Sequence, residues 1–292
     1  MLEDGIAAER LGFDSVWVAD HFYFQQPAGL VVYPEAWTLL TAIAARTERI
    51  TVGTDVISAT FRHPAMLAKM AGAVQDLCGG RLVLGIGAGN QAHEHAAFGL
   101  DFEHRIGRFK EYLPILHGLL NGETVTHAGK YFTLDDASLR TFVPSVPLWI
   151  ASGGPQMFDL TVRYGQGWNV AAGQDPAAVK HKYDEFATAC ARAGRDVNEF
   201  DICKLSFIGI AENAGSAERM RHELSQKAKL APEDFARRTL VGTPETIADY
   251  LRSISDVGVN HHMLAVAQSE QWSNYPDAFA LVQSEVVPRL HD

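Results

Sequence analysis

Short apolar runs rich in valine and isoleucine alternate along the chain with longer segments in which apolar residues recur at helical spacing. The short runs predict seven β-strands, at residues 15–20, 50–57, 81–88, 147–152, 167–171, 202–211 and 261–267. The longer segments predict nine helices, at residues 2–11, 34–46, 64–77, 104–120, 156–164, 176–193, 216–230, 243–257 and 276–289. Strands that alternate with helices are typical of repeated βα units, so the pattern predicts an α/β fold around a parallel sheet.

Seven such strands favour a TIM (β/α)8 barrel, which typically has about 250 residues, with one strand missing. The first strand is the missing one, because the helix at residues 2–11 already leads into the strand at residues 15–20. The barrel then has an open seam, and unpaired strand edges are unfavourable. We expect another chain or a local rearrangement to cover the seam, or the protein to be destabilised. No linker rich in Pro, Gly or Ser divides the chain, so residues 1–292 are expected to form one domain.

Proline marks the start of several predicted helices, where its missing N–H costs no hydrogen bond; these prolines are Pro34, Pro64, Pro176 and Pro276. Two connections, at residues 121–146 and 212–242, are longer than is usual for βα units. The first predicts a hairpin around Ala128-Gly129, and the second contains a charged helix. Each is expected either to cover a pocket or to be a surface elaboration.

The charge balance and the cysteines exclude several classes of protein. The chain has 25 Lys and Arg against 35 Asp and Glu, a formal charge of −10, so we expect no nucleic acid or anionic membrane as partner. Its three cysteines lack CxxC spacing, which disfavours a disulfide framework or a cysteine zinc site. No apolar run predicts a membrane span, and the acidic start is unlike a signal peptide. We expect a cytoplasmic protein.

Candidate chemistry is sought at the carboxyl ends of the strands, where barrels of this type carry their active sites. Asp20 and His21 follow the first predicted strand, and an imidazole suits proton transfer near neutral pH. The alternative interpretation is that Asp20 accepts backbone hydrogen bonds as a cap while His21 only packs.

Two glycine-rich turns also follow strands. The sequence GIGAGN places glycine at 85, 87 and 89, where backbone could approach a ligand, but Asn90 stands where a dinucleotide fingerprint needs its third glycine. The turn formed by Ser152, Gly153 and Gly154 opens a helix, and its N–H groups and helix dipole favour a phosphate. The alternative is a tight turn that needs glycine.

The remaining histidine clusters are weak candidates. His93, Glu94 and His95 lack HExxH spacing and a distant third ligand, so no metal site is predicted. His261 and His262 open the last strand, on the face opposite the expected chemistry, and are interpreted as structural. Signatures of acyl and phosphoryl transfer are absent from the sequence.

Five segments in this order resemble the bacterial luciferase-like superfamily of flavin and deazaflavin barrels. They are GFDSVWVADHF, TERITVGTDVISATFRHPAMLAKM, GGRLVLGIGAGN, VPLWIASGGP with YGQGWNV, and GTPETIADYL with GVNHHML. The resemblance spans nearly the whole chain. It implies a barrel that binds FMN or coenzyme F420 at its carboxyl-end face, with hydride passing to or from the ring.

Within that superfamily, ADHF, TFRHP, ASGGP and QSEVVPRL look most similar to F420-dependent dehydrogenases and reductases, including the glucose-6-phosphate type. The resemblance therefore favours F420 as cofactor, with FMN as the alternative. It implies that the ring is lined by Asp20 and His21, backed by a bulge at Val56 and Ser58, and flanked by Gly87, Gly89 and Asn90, with phosphate at Ser152, Gly153 and Gly154. It also implies a non-prolyl cis peptide bond between Asp55 and Val56, and His21 as the residue that handles protons.

Two positions depart from the sugar-phosphate dehydrogenases of that family, which carry Trp and Glu where this chain has Gln25 and Asn90. Glucose 6-phosphate is therefore not expected as the substrate. Asn90 is predicted to take part in catalysis by orienting a carbonyl or amide, since an amide does not readily exchange a proton. Apolar walls are expected from aromatic residues: Phe22, Tyr23, Phe24, Phe61 and Trp168.

The leading hypothesis is an F420-dependent oxidoreductase that moves hydride between the cofactor and a small organic substrate, which needs apposition and a dry pocket but no metal. Three alternatives remain: an FMN-dependent monooxygenase, a non-catalytic or degenerate barrel, and a nicotinamide reductase that uses GIGAGN. A homodimer is expected, because barrels that resemble this one pair and the seam needs cover.

Overall fold

The computed structural model describes residues 1–26, 29–139, 146–267 and 275–290 of the chain. Strands in this part are β1 (Ser15–Val18), β2 (Tyr23–Gln26), β3 (Gly29–Val32), β4 (Thr51–Thr54), β5 (Ile57–Ser58), β6 (Leu82–Gly87), β7 (Val125–Ala128), β8 (Thr133–Ala137), β9 (Leu148–Ser152), β10 (Gly167–Val170), β11 (Asp201–Ile210), β12 (Leu240–Gly242) and β13 (His261–Val266). The α-helices are α1 (Leu2–Leu11), α2 (Ala36–Arg46), α3 (Pro64–Leu77), α4 (Ala92–Ala97), α5 (Arg105–Leu120), α6 (Pro155–Tyr164), α7 (Pro176–Arg192), α8 (Ala214–Ala228), α9 (Pro232–Ala236), α10 (Pro244–Ser255) and α11 (Tyr275–Leu281).

Nine of these strands form one parallel sheet, as the alternating pattern predicts. Its order is β1-β4-β6-β9-β10-β11, with β12 and β13 both pairing with β11, and β5 pairing with β6. The sheet follows chain order, which is the order of a (β/α)8 barrel. The other four strands form two antiparallel hairpins, β2 with β3 and β7 with β8. The second of these is the hairpin predicted around Ala128-Gly129.

The edge strands β1 and β13 approach each other through side chains. In the described part of the chain, no strand pairs with the outer edge of either one. The hydroxyl of Ser15 on β1 nevertheless lies 2.9 Å from Nε2 of His261 on β13. Whether another chain covers this seam remains a prediction.

Two tryptophans and His261 fill the space between the strands at the amino end of the sheet. The ring of Trp17 stacks on that of Trp149 at 4.9 Å, and His261 contacts both rings edge-on. Neighbouring strands make room for these rings with glycine: a Cβ atom on Gly53 would lie 2.3 Å from Trp17, and one on Gly167 would lie 2.3 Å from Trp149. His261 is thus a packing residue, in agreement with its structural interpretation.

Several predicted boundaries need correction. The strand predicted at residues 50–57 is interrupted at Asp55 and Val56, whose peptide bond is cis. The connection predicted at residues 212–242 ends in strand β12, and β2 and β3 follow β1 as an unpredicted hairpin.

Two helix boundaries also differ. Pro34 lies outside α2. The carboxylate of Glu35 accepts the N–H groups of Trp37 and Thr38 and so caps the helix, which begins at Ala36. The last predicted helix, at residues 276–289, becomes α11, a π-helical turn (Val282–Val286) and a 3₁₀ turn (Val287–Leu290). No helix in the described ranges is long and apolar enough to cross a membrane.

Candidate active site

The carboxyl edge of the sheet gathers the residues that the sequence singles out. At this edge lie Asp20 and His21 after β1, Asp55 and Val56 between β4 and β5, Ser58 in β5, Gly87, Gly89 and Asn90 at and after the end of β6, and, from the end of β9 up to the first residue of α6, Ser152, Gly153 and Gly154. Parallel strands present their carboxyl ends on one face, so these residues share one side of the sheet.

Asp20 anchors the segment that carries Ser58. Asp20 is 5% exposed, and its carboxylate accepts the backbone N–H of Ser58 at 3.0 Å. Arg62 donates to both oxygens of the same carboxylate, at 2.6 and 3.1 Å. A bidentate guanidinium and a backbone N–H occupy both oxygens, so the carboxylate holds the loop between β5 and α3 against the end of β1. Asp20 thus accepts a backbone hydrogen bond, as one of its two interpretations expects, and its contact with a cofactor stays a prediction.

The segment between β4 and β5 contains the predicted cis peptide bond between Asp55 and Val56. Val56 packs against the glycine-rich strand β6: a Cβ atom on Gly87 would lie 3.1 Å from Cγ2 of Val56. A side chain larger than glycine would displace Val56 or the strand. Glycine at this position thus keeps the bulge close to β6.

His21 is held by a buried carboxylate. Its Nδ1 lies 3.0 Å from Oε2 of Glu94, and the backbone N–H of Phe22 donates to Oε1 of the same group. Glu94 belongs to α4 and is 0% exposed. A carboxylate accepts but does not donate, so it selects the form of His21 that carries a proton on Nδ1. In the neutral ring, the lone pair then lies on Nε2, the nitrogen suited to accept a proton.

Asp55 sits among polar groups beside the cis bond. Burial raises the pKa of its carboxyl to about 6, although the Asn169 amide that donates to it and the neighbouring Lys204 and His21 act in the opposite direction. Burial likewise lowers the pKa of Lys204 to about 8, against the raising effect of Asp55. Asp55 can therefore change charge in the neutral range, as groups at active sites often do.

Gly89 and Asn90, which follow β6, differ in backbone conformation and in exposure. Gly89 has a positive φ of 88°, a conformation that favours glycine, and lies against Ser58. Asn90 is exposed, and its side chain forms no hydrogen bond with the part of the chain that the structure describes. Its amide is therefore accessible to a bound molecule.

The turn formed by Ser152, Gly153 and Gly154 has backbone groups, rather than the Ser152 hydroxyl, at the carboxyl edge of the sheet. The side chain of Ser152 is buried and accepts a hydrogen bond from Thr161 at 3.0 Å, facing α6. Lys182 reaches this turn from α7, where its ammonium donates to the carbonyl of Gly153 at 2.9 Å. The groups of this turn that could meet an anion are therefore backbone N–H groups and Lys182, whose ammonium also pairs with Glu185, rather than the Ser152 side chain.

Aromatic residues line one side of this edge. Phe22 stacks on Phe98 at 4.0 Å and lies 4.9 Å from Phe61. The sequence predicts Trp168 as part of the apolar wall, and this is wrong: Trp168 is fully buried and stacks on Phe186 at 4.3 Å, because its strand turns it toward the helices. The side chains of Phe24 and Gln25 lie outside the described residues.

Sequence reasoning missed several groups at this site. The sequence indicates Glu94 only as a weak metal-ligand candidate, although its place four residues after Asn90 puts it near the same edge. Asn169 follows a buried tryptophan in a strand, so strand alternation places it on the opposite face. Lys182 and Lys204 left no local signal, because long-range packing brings them to the site.

A parallel sheet of βα units with titratable and glycine-rich residues at its carboxyl edge is the architecture of a barrel enzyme. The chain belongs to the luciferase-like monooxygenase family, whose model matches residues 5–230. Both the family resemblance and the luciferase-like barrel expected from the sequence are thereby confirmed.

Individual relatives agree with this assignment. The F420-dependent glucose-6-phosphate dehydrogenase of Amycolatopsis mediterranei is 31% identical over 290 residues, covering 89% of this chain and 86% of that protein. The structure of an F420-dependent secondary alcohol dehydrogenase, in complex with an F420-acetone adduct, matches with a TM-score of 0.84 at 24% identity, covering 100% of this chain and 94% of that one. A monooxygenase from Streptomyces bottropensis matches with a TM-score of 0.82 at 23% identity, covering 98% and 93% of the two chains.

Proposed function

We propose that this chain is a coenzyme F420-dependent oxidoreductase that transfers a hydride between the cofactor and a small organic substrate. The similarity to an F420-dependent dehydrogenase over most of both chains supports this choice of cofactor. The observation that carries the proposal is the placement of His21, oriented by buried Glu94, at the same sheet edge as the bulge of Asp55 and Val56.

When bound, F420 supplies the ring carbon C5 that accepts or releases hydride. His21 handles the accompanying proton: as an alcohol carbon loses hydride and becomes a carbonyl carbon, Nε2 of His21 takes the hydroxyl proton. In the reverse direction the same nitrogen returns the proton to the oxygen. Asn90 donates its amide N–H to the substrate oxygen and so orients it.

The remaining residues would bind the cofactor and keep water out of the pocket. Val56 and Ser58 would back the ring, with Gly87 and Gly89 allowing it to lie close to β6. Backbone N–H groups of Gly153 and Gly154, together with Lys182, would hold the anionic tail of the cofactor. The stacked rings of Phe22 and Phe98 form an apolar wall that favours a dry pocket.

Titration of the purified protein with F420 and, separately, with FMN tests the cofactor. We expect saturable F420 binding and loss of the visible absorbance of oxidised F420 when a substrate alcohol is added. Tight FMN binding without F420 binding would instead favour an FMN-dependent monooxygenase, the alternative that the family's description supports.

Replacement of His21 tests the catalytic assignment. His21→Ala is expected to lower turnover by about 100-fold or more, because a positioned acid–base group typically contributes that much. His93→Ala is the matched control, since His93 is an exposed histidine of the neighbouring helix whose ring contacts Tyr23. Unaltered turnover in His21→Ala would support the non-catalytic alternative.

The substrate is proposed to be other than glucose 6-phosphate. Asn90 offers no carboxylic acid, and Glu94, four residues further along, is buried and occupied by His21 and Phe22. A screen of small alcohols and carbonyl compounds beside glucose 6-phosphate checks this, and efficient oxidation of the sugar phosphate would contradict it.

We also propose that residues 1–292 form one cytoplasmic domain that works as a homodimer. Support for pairing comes from the free outer edges of β1 and β13 in the described chain and from the exposed apolar side chains Leu30, Val31 and Val32 of β3. A compact monomer in sedimentation at micromolar concentration would count against the dimer.

A further inference from the structure

A chain of hydrogen bonds leads from Ser58 into the protein interior. Oγ of Ser58 lies 2.6 Å from Oγ1 of Thr60, which lies 2.6 Å from Nε2 of His95. Nδ1 of His95 in turn lies 2.7 Å from the backbone carbonyl oxygen of Gln91. His95 is 1% exposed and sits between the rings of Phe61 and Phe102.

The direction of this chain follows from its inner end. A carbonyl oxygen only accepts, so Nδ1 of His95 carries a hydrogen, and in the neutral ring Nε2 is then an acceptor. Thr60 has one hydroxyl hydrogen and donates it to Nε2. Ser58 must therefore donate its own hydrogen to Thr60, which leaves only lone pairs on Oγ of Ser58 for any other partner.

We propose that Thr60 and His95 fix the Ser58 hydroxyl as a hydrogen-bond acceptor that recognises an N–H or O–H group of the bound cofactor. The proposal rests on the proposed function, which places the cofactor at the bulge beside Ser58. It assigns roles to two residues that make no direct contact with the ligand: Thr60 and His95 are positioning residues that act through Ser58.

The surroundings favour this assignment. Ser58 is buried and its backbone N–H is already bonded to Asp20, so the hydroxyl is the polar group of this residue that remains for a ligand. A Cβ atom on Gly89 would lie 3.0 Å from Oγ of Ser58 and 3.2 Å from Oγ1 of Thr60. Glycine at 89 thus leaves the space that the chain of hydroxyls occupies.

The tautomer of His95 is measurable without any ligand. In protein labelled with ¹⁵N-histidine, two-bond ¹⁵N–¹H correlations report which ring nitrogen carries hydrogen, and the His95 signal is identified by its loss in His95→Phe. We expect the neutral ring with hydrogen on Nδ1. Hydrogen on Nε2 would reverse the chain, make Ser58 a donor and overturn the proposal.

Binding of F420 tests the link to the ligand. Ser58→Ala and Thr60→Val are each expected to weaken F420 binding by about 2- to 10-fold, the effect of one hydrogen bond. The double variant should bind no more weakly than Ser58→Ala alone, because Thr60 acts only through Ser58. Thr60→Ser keeps the hydroxyl and should restore wild-type affinity.

Two results would overturn the proposal: wild-type affinity in Ser58→Ala, or additive losses in the double variant, which would mean that Thr60 acts independently of Ser58. Failure of the wild-type protein to bind F420 would contradict the proposed function instead. In that case the same variants are titrated with FMN, and the tautomer measurement decides the direction of the chain.

Discussion

The Nδ1 atom of His21 lies 3.0 Å from Oε2 of Glu94, whose other oxygen accepts the N–H of Phe22. One buried carboxylate thus fixes both the ring of the residue expected to handle protons and the backbone that follows it. Because Glu94 comes from α4, more than seventy residues further along the chain, it ties the end of β1 to the segment after β6.

Glu94→Gln is expected to lower kcat by about 10- to 100-fold while leaving the dissociation constant of F420 within about threefold. Both neighbours of this carboxylate donate hydrogen, whereas an amide accepts at one atom and donates at the other. One of the two contacts therefore becomes repulsive, and His21 loses its orientation. Steady-state kinetics and a cofactor titration measure the two effects separately.

Glu103→Gln serves as the control for this variant, since Glu103 is an exposed glutamate from the segment between α4 and α5. It should behave as wild type. If Glu94→Gln keeps full kcat, the carboxylate does not orient His21 for catalysis.

Asp20→Asn is expected to lower the free energy of unfolding by about 2–4 kcal/mol, since it breaks a buried ion pair. An amide in place of the carboxylate presents N–H to one of the donors, Arg62 or the backbone N–H of Ser58. Urea denaturation checks the value. Asp184→Asn is the comparison: Asp184 pairs with Lys180 on α7 but is 58% exposed at its side chain, so a loss below about 1 kcal/mol is expected. Equal losses in the two variants would contradict the anchoring role of Asp20.

The position of Asp20 and His21 could be predicted from the sequence. Active-site residues of such barrels follow the carboxyl ends of strands, and the end of an apolar run in the sequence is enough to locate such an end. The partners of these residues could not. Contacts from Arg62 and Glu94 depend on how the loop before α3 and the helix α4 pack at the end of β1, and no local sequence pattern indicates that packing.

The turn at Ser152 shows a second limit of the sequence. The pattern of a strand, two glycines and a helix predicts the turn, but the direction of each side chain depends on strand register. In the structure, the Ser152 hydroxyl faces Thr161 and Trp168 packs among the helices. A shift of one position along a strand exchanges the two faces, which is why side-chain roles were harder to predict than the turn itself.

Gly53→Ala is expected to lower stability by about 1–3 kcal/mol, because an added methyl group would overpack the interior beside Trp17. The Cβ atom would lie 2.3 Å from the indole, which stacks on Trp149 and has little freedom to move. Gly173→Ala is the matched control, since nothing lies within 4 Å of its added atom, and a change within about 0.5 kcal/mol is expected. Thermal unfolding of both variants compares them, and equal stability would contradict the tight packing of Trp17.

Asp55→Asn is expected to stabilise the protein at neutral pH but not in acid. The pKa of Asp55 is raised from 3.8 to about 6 by burial, so the folded state holds a proton that the unfolded state releases between these values. Wild-type stability should therefore fall as pH rises from about 4 to about 6, by about 2–3 kcal/mol in total at this site.

Asparagine resembles the protonated acid and removes that loss, so the difference in unfolding free energy between variant and wild type should grow through this window and stay constant above it. Asp135→Asn, a change at an exposed carboxylate of β8, is the control for removal of a carboxylate as such, and the difference for Asp55→Asn should grow more than this control does across the same window. Denaturant unfolding of the three proteins at pH 4, 5, 6 and 7.5 measures the differences, and a gap between Asp55→Asn and wild type that is the same at every pH would show that Asp55 ionises as freely in the folded protein as in the unfolded chain.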